Sequence, residues 1–240
     1  MNTKIIFFDT ETTGNTEKDT LCQIAYKTGD EAFSEMYKPV IKIPPEASAV
    51  HHITNKMIAD KPSFKDSPDS KKIKKLFEDK NSVVVAHNAP FDLMIIKKED
   101  IIPKNFICTL RLARHLDPEE KIDRYNLQYL RYLLEIEIEA EAHDALGDVL
   151  VLEKLFERLQ KKVMENENVD AEGSMQKMIE ISSHPSLFKS FKFGKHNGKF
   201  IEEVAKSDRG YLEWLLTQKL EGDQIDEDWI YTLKHYLAKP

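Results

Sequence analysis

The sequence predicts an α/β fold with a mixed sheet, and three observations carry that prediction. Runs rich in β-branched and aromatic residues come first, at 4–9, 20–28 and 32–40, punctuated by Gly14 and by Gly29-Asp30. Strand-like runs at 82–87 and 105–109 then alternate with helical stretches. Finally, Leu146, Val149, Leu150, Leu152, Leu155, Phe156, Leu159 and Val163 recur at helical spacing over 145–163. A meander of three strands followed by strands alternating with helices gives a mixed five-stranded sheet flanked by helices.

Taken in order, Lys4-Ile5-Ile6-Phe7-Phe8-Asp9 suits a buried strand, and the next two runs complete an antiparallel meander. Pro44-Pro45 marks a loop ahead of a short helix at 48–59 and a lysine-rich helix at 67–79. Val83-Val84-Val85 centres the fourth strand, which leads into Asn88-Ala89-Pro90. That tripeptide is start chemistry for a helix, because asparagine caps free N–H groups and proline suits the first turn. Helices are predicted at 110–115, 125–134 and 175–182. The polar stretch 166–174 reads as a linker dividing a domain at 1–165 from a small C-terminal α+β module at 175–240.

Composition narrows the function. A chain of 240 residues that is 41% hydrophobic can bury one large core and a small one. The two cysteines, Cys22 and Cys108, lack metal-type spacing, and no apolar run is long enough to span a bilayer. A reducing, cytoplasmic location without membrane attachment is the expectation. A net charge of −7 argues against coating nucleic acid by bulk electrostatics. It fits a protein that gathers carboxylates around cations and so presents positive charge to a phosphate.

Those carboxylates are Asp9, Glu11, Asp92 and Asp148. Residues two apart on a strand share a face, so Asp9 and Glu11 can approach one ion or a close pair. The following Thr12-Thr13-Gly14 supplies hydroxyls and a glycine that lets backbone approach a ligand. Asp92 falls in a helix's first turn after the fourth strand, which brings it to the same sheet edge if that strand runs parallel beside the first. Asp148 lies on the long amphipathic helix, and His143 just ahead of it. Crowded carboxylates repel in a low-dielectric cleft and stay ionised only by binding cations, and oxygen ligands suit magnesium or manganese. Two ions about 3.5–4 Å apart can orient water on one side of a phosphodiester and stabilise the departing oxygen on the other. Neutral His143 can take the water's proton.

Three segments resemble the exonuclease motifs of the DEDD superfamily, histidine subtype. They are Phe8-Asp9-Thr10-Glu11-Thr12-Thr13-Gly14, Ala86-His87-Asn88-Ala89-Pro90-Phe91-Asp92 and His143-Asp144-Ala145-Leu146-Gly147-Asp148. The resemblance covers 1–165 and implies a ribonuclease H-like fold. It further implies 3′→5′ hydrolysis of DNA to nucleoside 5′-monophosphates with two magnesium ions, for which manganese substitutes. Asp9, Glu11, Asp92 and Asp148 are then the metal ligands and His143 the general base. The family's Val-His-x-Ile element matches Val50-His51-His52-Ile53, which carries a contact with the terminal nucleotide to His51, with His52 the adjacent competitor. By the same resemblance Thr10 and Thr12 hold the 3′-OH, with Gly14 beside them, Leu21 wedges against the last base, and Phe91 lies beside the terminal nucleotide or packs beneath the site.

The segment 188–200 carries four lysines, four phenylalanines and no acid. Such alternation serves phosphate contact and base stacking, or else folds as a hairpin whose phenylalanines fill a small core. With the following Tyr211-Leu212-Glu213-Trp214-Leu215-Leu216 it resembles the small module found after exonuclease X-like catalytic domains, and a grip on nucleic acid through Lys189, Lys192, Lys195 and Lys199 is the expected role. RNA as substrate, or service as a proofreading or tethering subunit, are the rival functions.

Overall fold

A computed structural model describes residues 3–138, 145–222 and 226–239. The chain forms two compact units, one of Met1–Leu116 with Arg124–Ser183, the other of Asp117–Asp123 with His184–Pro240.

The first unit is built on a five-stranded sheet: β1 (Lys4–Thr12), β2 (Leu21–Thr28), β3 (Glu31–Met36), β4 (Ser82–Ala86) and β5 (Phe106–Cys108), in the order β3-β2-β1-β4-β5. The first three strands pair antiparallel, and β4 and β5 run parallel to β1. This mixed sheet is the predicted one. Its helices are α1 (Pro45–His51), α2 (Asp69–Phe77), α3 (Ala89–Lys98), α4 (Thr109–His115), α5 (Leu127–Leu133), α6 (Ala145–Glu167) and α7 (Ala171–Ser183).

Alternation along β1 sorts the core into two sides. Even-numbered Ile6 and Phe8 join the main core with Ile73 and Phe77 of α2 and Ile95 and Ile96 of α3, Phe8 meeting Phe77 edge to face at 5.2 Å. Odd-numbered Phe7 meets Phe156 of α6 at 5.3 Å. Helix α6 therefore covers the face that carries Asp9 and Glu11.

Several boundaries depart from expectation. The first helix starts at Pro45 rather than 48, with proline in its first turn, and stops at His51 because His52 turns left-handed (φ 62°). Strand β3 ends at Met36, and Val40, placed in it by pattern, is 88% exposed. Asn88 also turns left-handed (φ 70°) and gives α3 no side-chain cap; Phe91 N–H bonds the Asn88 carbonyl instead, at 2.9 Å.

The predicted linker at 166–174 is not a boundary in the structure. Helix α6 continues to Glu167, the chain reverses at left-handed Asn168, and α7 packs back on the first unit. Ser182 accepts from Arg111 through its carbonyl (2.7 Å) and from Cys108 N–H through its hydroxyl (2.8 Å). The polar sequence hid these bonds, because α7 is anchored by buried Ser174, Met178 and Ser182 rather than by an apolar stripe.

The second unit comprises α8 (Ile201–Ser207), α9 (Arg209–Glu221) and α10 (Glu227–Leu237), preceded by a loop with one 3-10 turn at Gly194–His196. Among the described residues its β component is a single antiparallel bridge, Ser190 to Phe200. Phe191 is fully buried among Ile201, Val204, Leu212, Leu215, Trp229 and Leu233.

Candidate active site

The topology creates the site. Parallel pairing of β1 with β4 ends at Phe7↔Val85, while antiparallel pairing with β2 runs on through Thr10↔Ile24 and Glu11↔Gln23. Beyond Phe7 the β4-facing edge of β1 is thus open, and α3, which starts just after β4, delivers Asp92 into the gap. Thr10 donates to Asp92 Oδ1 from both its backbone N–H (3.1 Å) and its hydroxyl (2.7 Å).

Asp148 arrives from the other side. It lies eight residues, about 12 Å, before Phe156 on α6, whereas Glu11 lies four residues, about 13 Å, beyond Phe7 on β1. With the two phenylalanines in contact and the elements running in opposite senses, Asp148 comes opposite Glu11. Carboxylate oxygens of Asp9, Glu11 and Asp148 lie within 4.8 Å of one another. His143 falls outside the described residues.

The electrostatics follow from the crowding. Burial, and then the charges of Asp92, Glu11 and Asp148, hold the Asp9 carboxyl well above the usual carboxylate range. Burial pushes Asp92 up to about 7, although the Thr10 bonds pull the other way. A protein cannot keep this set ionised without positive charge, and its donors are all oxygen. The residues fit divalent cations, with Asp9, Glu11, Asp92 and Asp148 as the ligands available.

Other residues predicted for substrate serve the frame. The Thr10 N–H and hydroxyl are spent on Asp92, and the Thr12 hydroxyl donates to the Gly14 carbonyl. Each hydroxyl has given its proton to the frame and keeps only acceptor capacity toward a 3′-OH. Leu21 is buried in the main core at the start of β2, with 3% of its surface exposed. Phe91 packs against that same core. The absent side chain of Gly14 makes room for Asp19 rather than for a ligand, since a Cβ there would sit 2.7 Å from the Asp19 carboxylate.

His51 accepts from Ile53 N–H at Nδ1 (3.0 Å). Its Nε2 therefore carries the proton and donates to the Thr12 carbonyl at 3.1 Å. Burial lowers its pKa, so the ring stays neutral and pins the end of β1. His52 is exposed.

Three supporting residues escaped sequence reasoning. Gln128 on α5 donates its amide to Asp148 Oδ1, fixing that carboxylate without adding charge. His87 bonds the Tyr125 carbonyl through Nε2 (2.6 Å) and the Thr109 hydroxyl through Nδ1 (2.9 Å), which ties the segment leading into α5 to the end of the sheet. Asp19 accepts from the Thr13 hydroxyl (2.8 Å) and from Thr16 N–H (2.8 Å) and hydroxyl (2.7 Å), and Lys98 grips the Glu17 and Asp19 carbonyls. His87 stood inside a quoted motif and could have been found there; Gln128 carried no motif signal.

Comparison with known proteins supplies the family. The exonuclease family matches residues 6–156, and the exodeoxyribonuclease X-like C-terminal family matches residues 191–219. The chain belongs to the exonuclease family. It is a nuclease, and the family's chemistry depends on metal. Exodeoxyribonuclease 10 of Escherichia coli is 34% identical over 205 residues, 85% of this chain and 84% of that protein. The DNA polymerase III epsilon subunit of Treponema pallidum is 35% identical over 164 residues, 62% of this chain and 73% of its own. Among solved structures, exonuclease X in complex with 5′ overhanging duplex DNA matches with a TM-score of 0.57 at 27% identity, over 74% of this chain and 99% of that one. Escherichia coli exonuclease I shares the fold, with a TM-score of 0.58 at 19% identity over 70% of this chain and 43% of that one. The ribonuclease H-like fold expected from the motifs is the fold of these neighbours.

Proposed function

We propose that this exonuclease removes nucleotides one at a time from the 3′ end of DNA, using two magnesium ions and releasing nucleoside 5′-monophosphates. The observation that carries the reading is the approach of Asp9, Glu11 and Asp148 oxygens to within 4.8 Å, with Asp92 beside them raising the Asp9 pKa. Bound by these carboxylates, two such ions would neutralise a phosphodiester and acidify an attacking water. Asp92 is aimed by Thr10, Asp148 by Gln128, and the end of β1 by His51. His143, just ahead of α6, takes the proton from the attacking water.

DNA as substrate is supported by the relatives: one is by name an exodeoxyribonuclease, and one solved neighbour holds duplex DNA. Cys22 and Cys108 are both buried thiols outside any disulfide, and burial pushes the Cys22 thiol up to about 12, which supports a reducing, cytoplasmic setting. No helix among the described residues is long and apolar enough to cross a membrane.

The test uses strands labelled at the 5′ end. With magnesium or manganese, single-stranded and duplex DNA should shorten as a ladder and release mononucleotides. EDTA and His143→Ala should each stop it. Faster trimming of matched RNA would replace DNA as the substrate, and internal cuts would refute an end-directed enzyme.

A further inference from the structure

The second unit contains a tryptophan that its fold does not explain. Trp229 stacks on Phe191 at 5.4 Å within the core, but Trp214 is 54% exposed. Trp214 lies against Tyr211 on the same helix at 5.5 Å, and Lys195 Nζ sits 4.9 Å over the Tyr211 ring. Phe193 and Phe200, at the two ends of the loop that carries Lys195, are also exposed.

That loop is held in one shape. Gly194 (φ 67°) and Gly198 (φ 81°) take left-handed conformations, and the Tyr211 hydroxyl stands 2.9 Å from where a Gly194 side chain would begin. Gly198 N–H bonds the Phe191 carbonyl at 2.7 Å, and Phe191 N–H bonds that of Lys199 at 2.9 Å. Asp208 anchors both Lys195 (2.7 Å) and buried His196 (2.9 Å). The lysines are consequently unequal. Lys189 and Lys192 bond the carbonyls of Pro118 and Glu120, and Lys195 is paired, whereas Lys199 has no side-chain partner among the described residues.

We propose that Trp214, Tyr211 and the 193–200 loop form a second nucleic-acid site that takes unpaired bases on the Trp214 ring and phosphates at Lys199. An exposed indole packed on Tyr211, whose ring lies under the Lys195 ammonium, together with a 188–200 segment of four lysines and no acid, matches a strand that offers ring faces and negative charge together. A purely apolar partner would have no use for the lysines. Paired bases hide their faces in the stack, so the ligand is single-stranded. The role is affinity, not chemistry, and the inference rests on the nucleic-acid reading above.

The test measures binding of a labelled single-stranded oligonucleotide to the full chain carrying Asp9→Asn, which prevents cleavage, across a range of salt concentrations. Adding Trp214→Ala should weaken binding about tenfold, and Trp214→Phe, which keeps a ring, should restore most of it. Lys199→Glu should flatten the salt dependence. In the chain with Asp9 intact, Trp214→Ala should leave trimming of a trinucleotide unchanged. Binding that survives both Trp214→Ala and Lys199→Glu overturns the proposal, as does a loss that phenylalanine does not rescue. Failure of the exonuclease reading would show separately, as absence of metal-dependent trimming by the unaltered chain.

Discussion

Two aspartates, one in each unit, face opposite surroundings. Asp9 is buried among Asp92, Glu11 and Asp148, which raise its pKa, whereas Asp208 is flanked by Lys195 and His196, which lower its own. The second carboxylate already has its counter-charges and serves to hold a loop. The first lacks them and needs cations from outside. Charge left uncompensated by the fold marks the place where ligand enters, and compensated charge marks scaffold.

The largest effect follows from removing one member of the uncompensated set. Asp9→Asn should lower nuclease turnover by at least about a thousandfold while raising the melting temperature in EDTA at alkaline pH, where the Asp9 carboxyl is otherwise forced to ionise among its neighbours. A loss of both activity and stability would mean that Asp9 holds the fold and not the ions. Next comes pH. Asp92, pushed up to about 7, has a folded pKa above its unfolded one, so its contribution to stability is complete below about 4 and is lost as pH rises through 7. In EDTA the melting temperature should therefore fall over that window by roughly 2–12 °C, an effect of order 1–3 kcal/mol, and magnesium at pH 8 should restore it. His87 supplies the opposite sign. Burial lowers it to about 4, so its contribution is present above about 6.5 and is lost as pH falls toward 4; His87→Gln should blunt that acid limb in thermal melts.

Smaller effects test the scaffold. Gln128→Leu removes one charge-assisted bond to Asp148 and should cost about tenfold in turnover with the fold intact by circular dichroism. Asp208→Asn, at the compensated site, should lower the melting temperature by about 2–4 °C and leave trimming of a trinucleotide unchanged. An equal loss of turnover in these two variants would erase the distinction between the regions.

The sheet and the carboxylates were legible because each rests on a local pattern: alternating apolar runs for the strands, and acids at the ends of strands or starts of helices for the site. What the sequence hid depends on pairing at a distance. Where the hydroxyl protons of Thr10 and Thr12 go is set by Asp92, eighty-two residues from Thr10, and by the Gly14 carbonyl. Leu21 looked available as a wedge until the register set it beside Thr12 in the core. Polarity at 166–174 resembled a linker because the anchors of α7 are serines with buried partners. Gln128 left no trace, since a neutral amide on a helix looks the same whether or not a carboxylate faces it.

Calorimetric titration of manganese into the chain at pH 7, in two buffers of different ionisation enthalpy, tests the central claim most directly. If Asp9 and Asp92 hold protons until cations arrive, binding will be saturable, will release protons, and will be weakened or abolished by Asp9→Asn. Absence of saturable binding, or binding of the same strength in Asp9→Asn, would contradict the assignment of these carboxylates as the metal site.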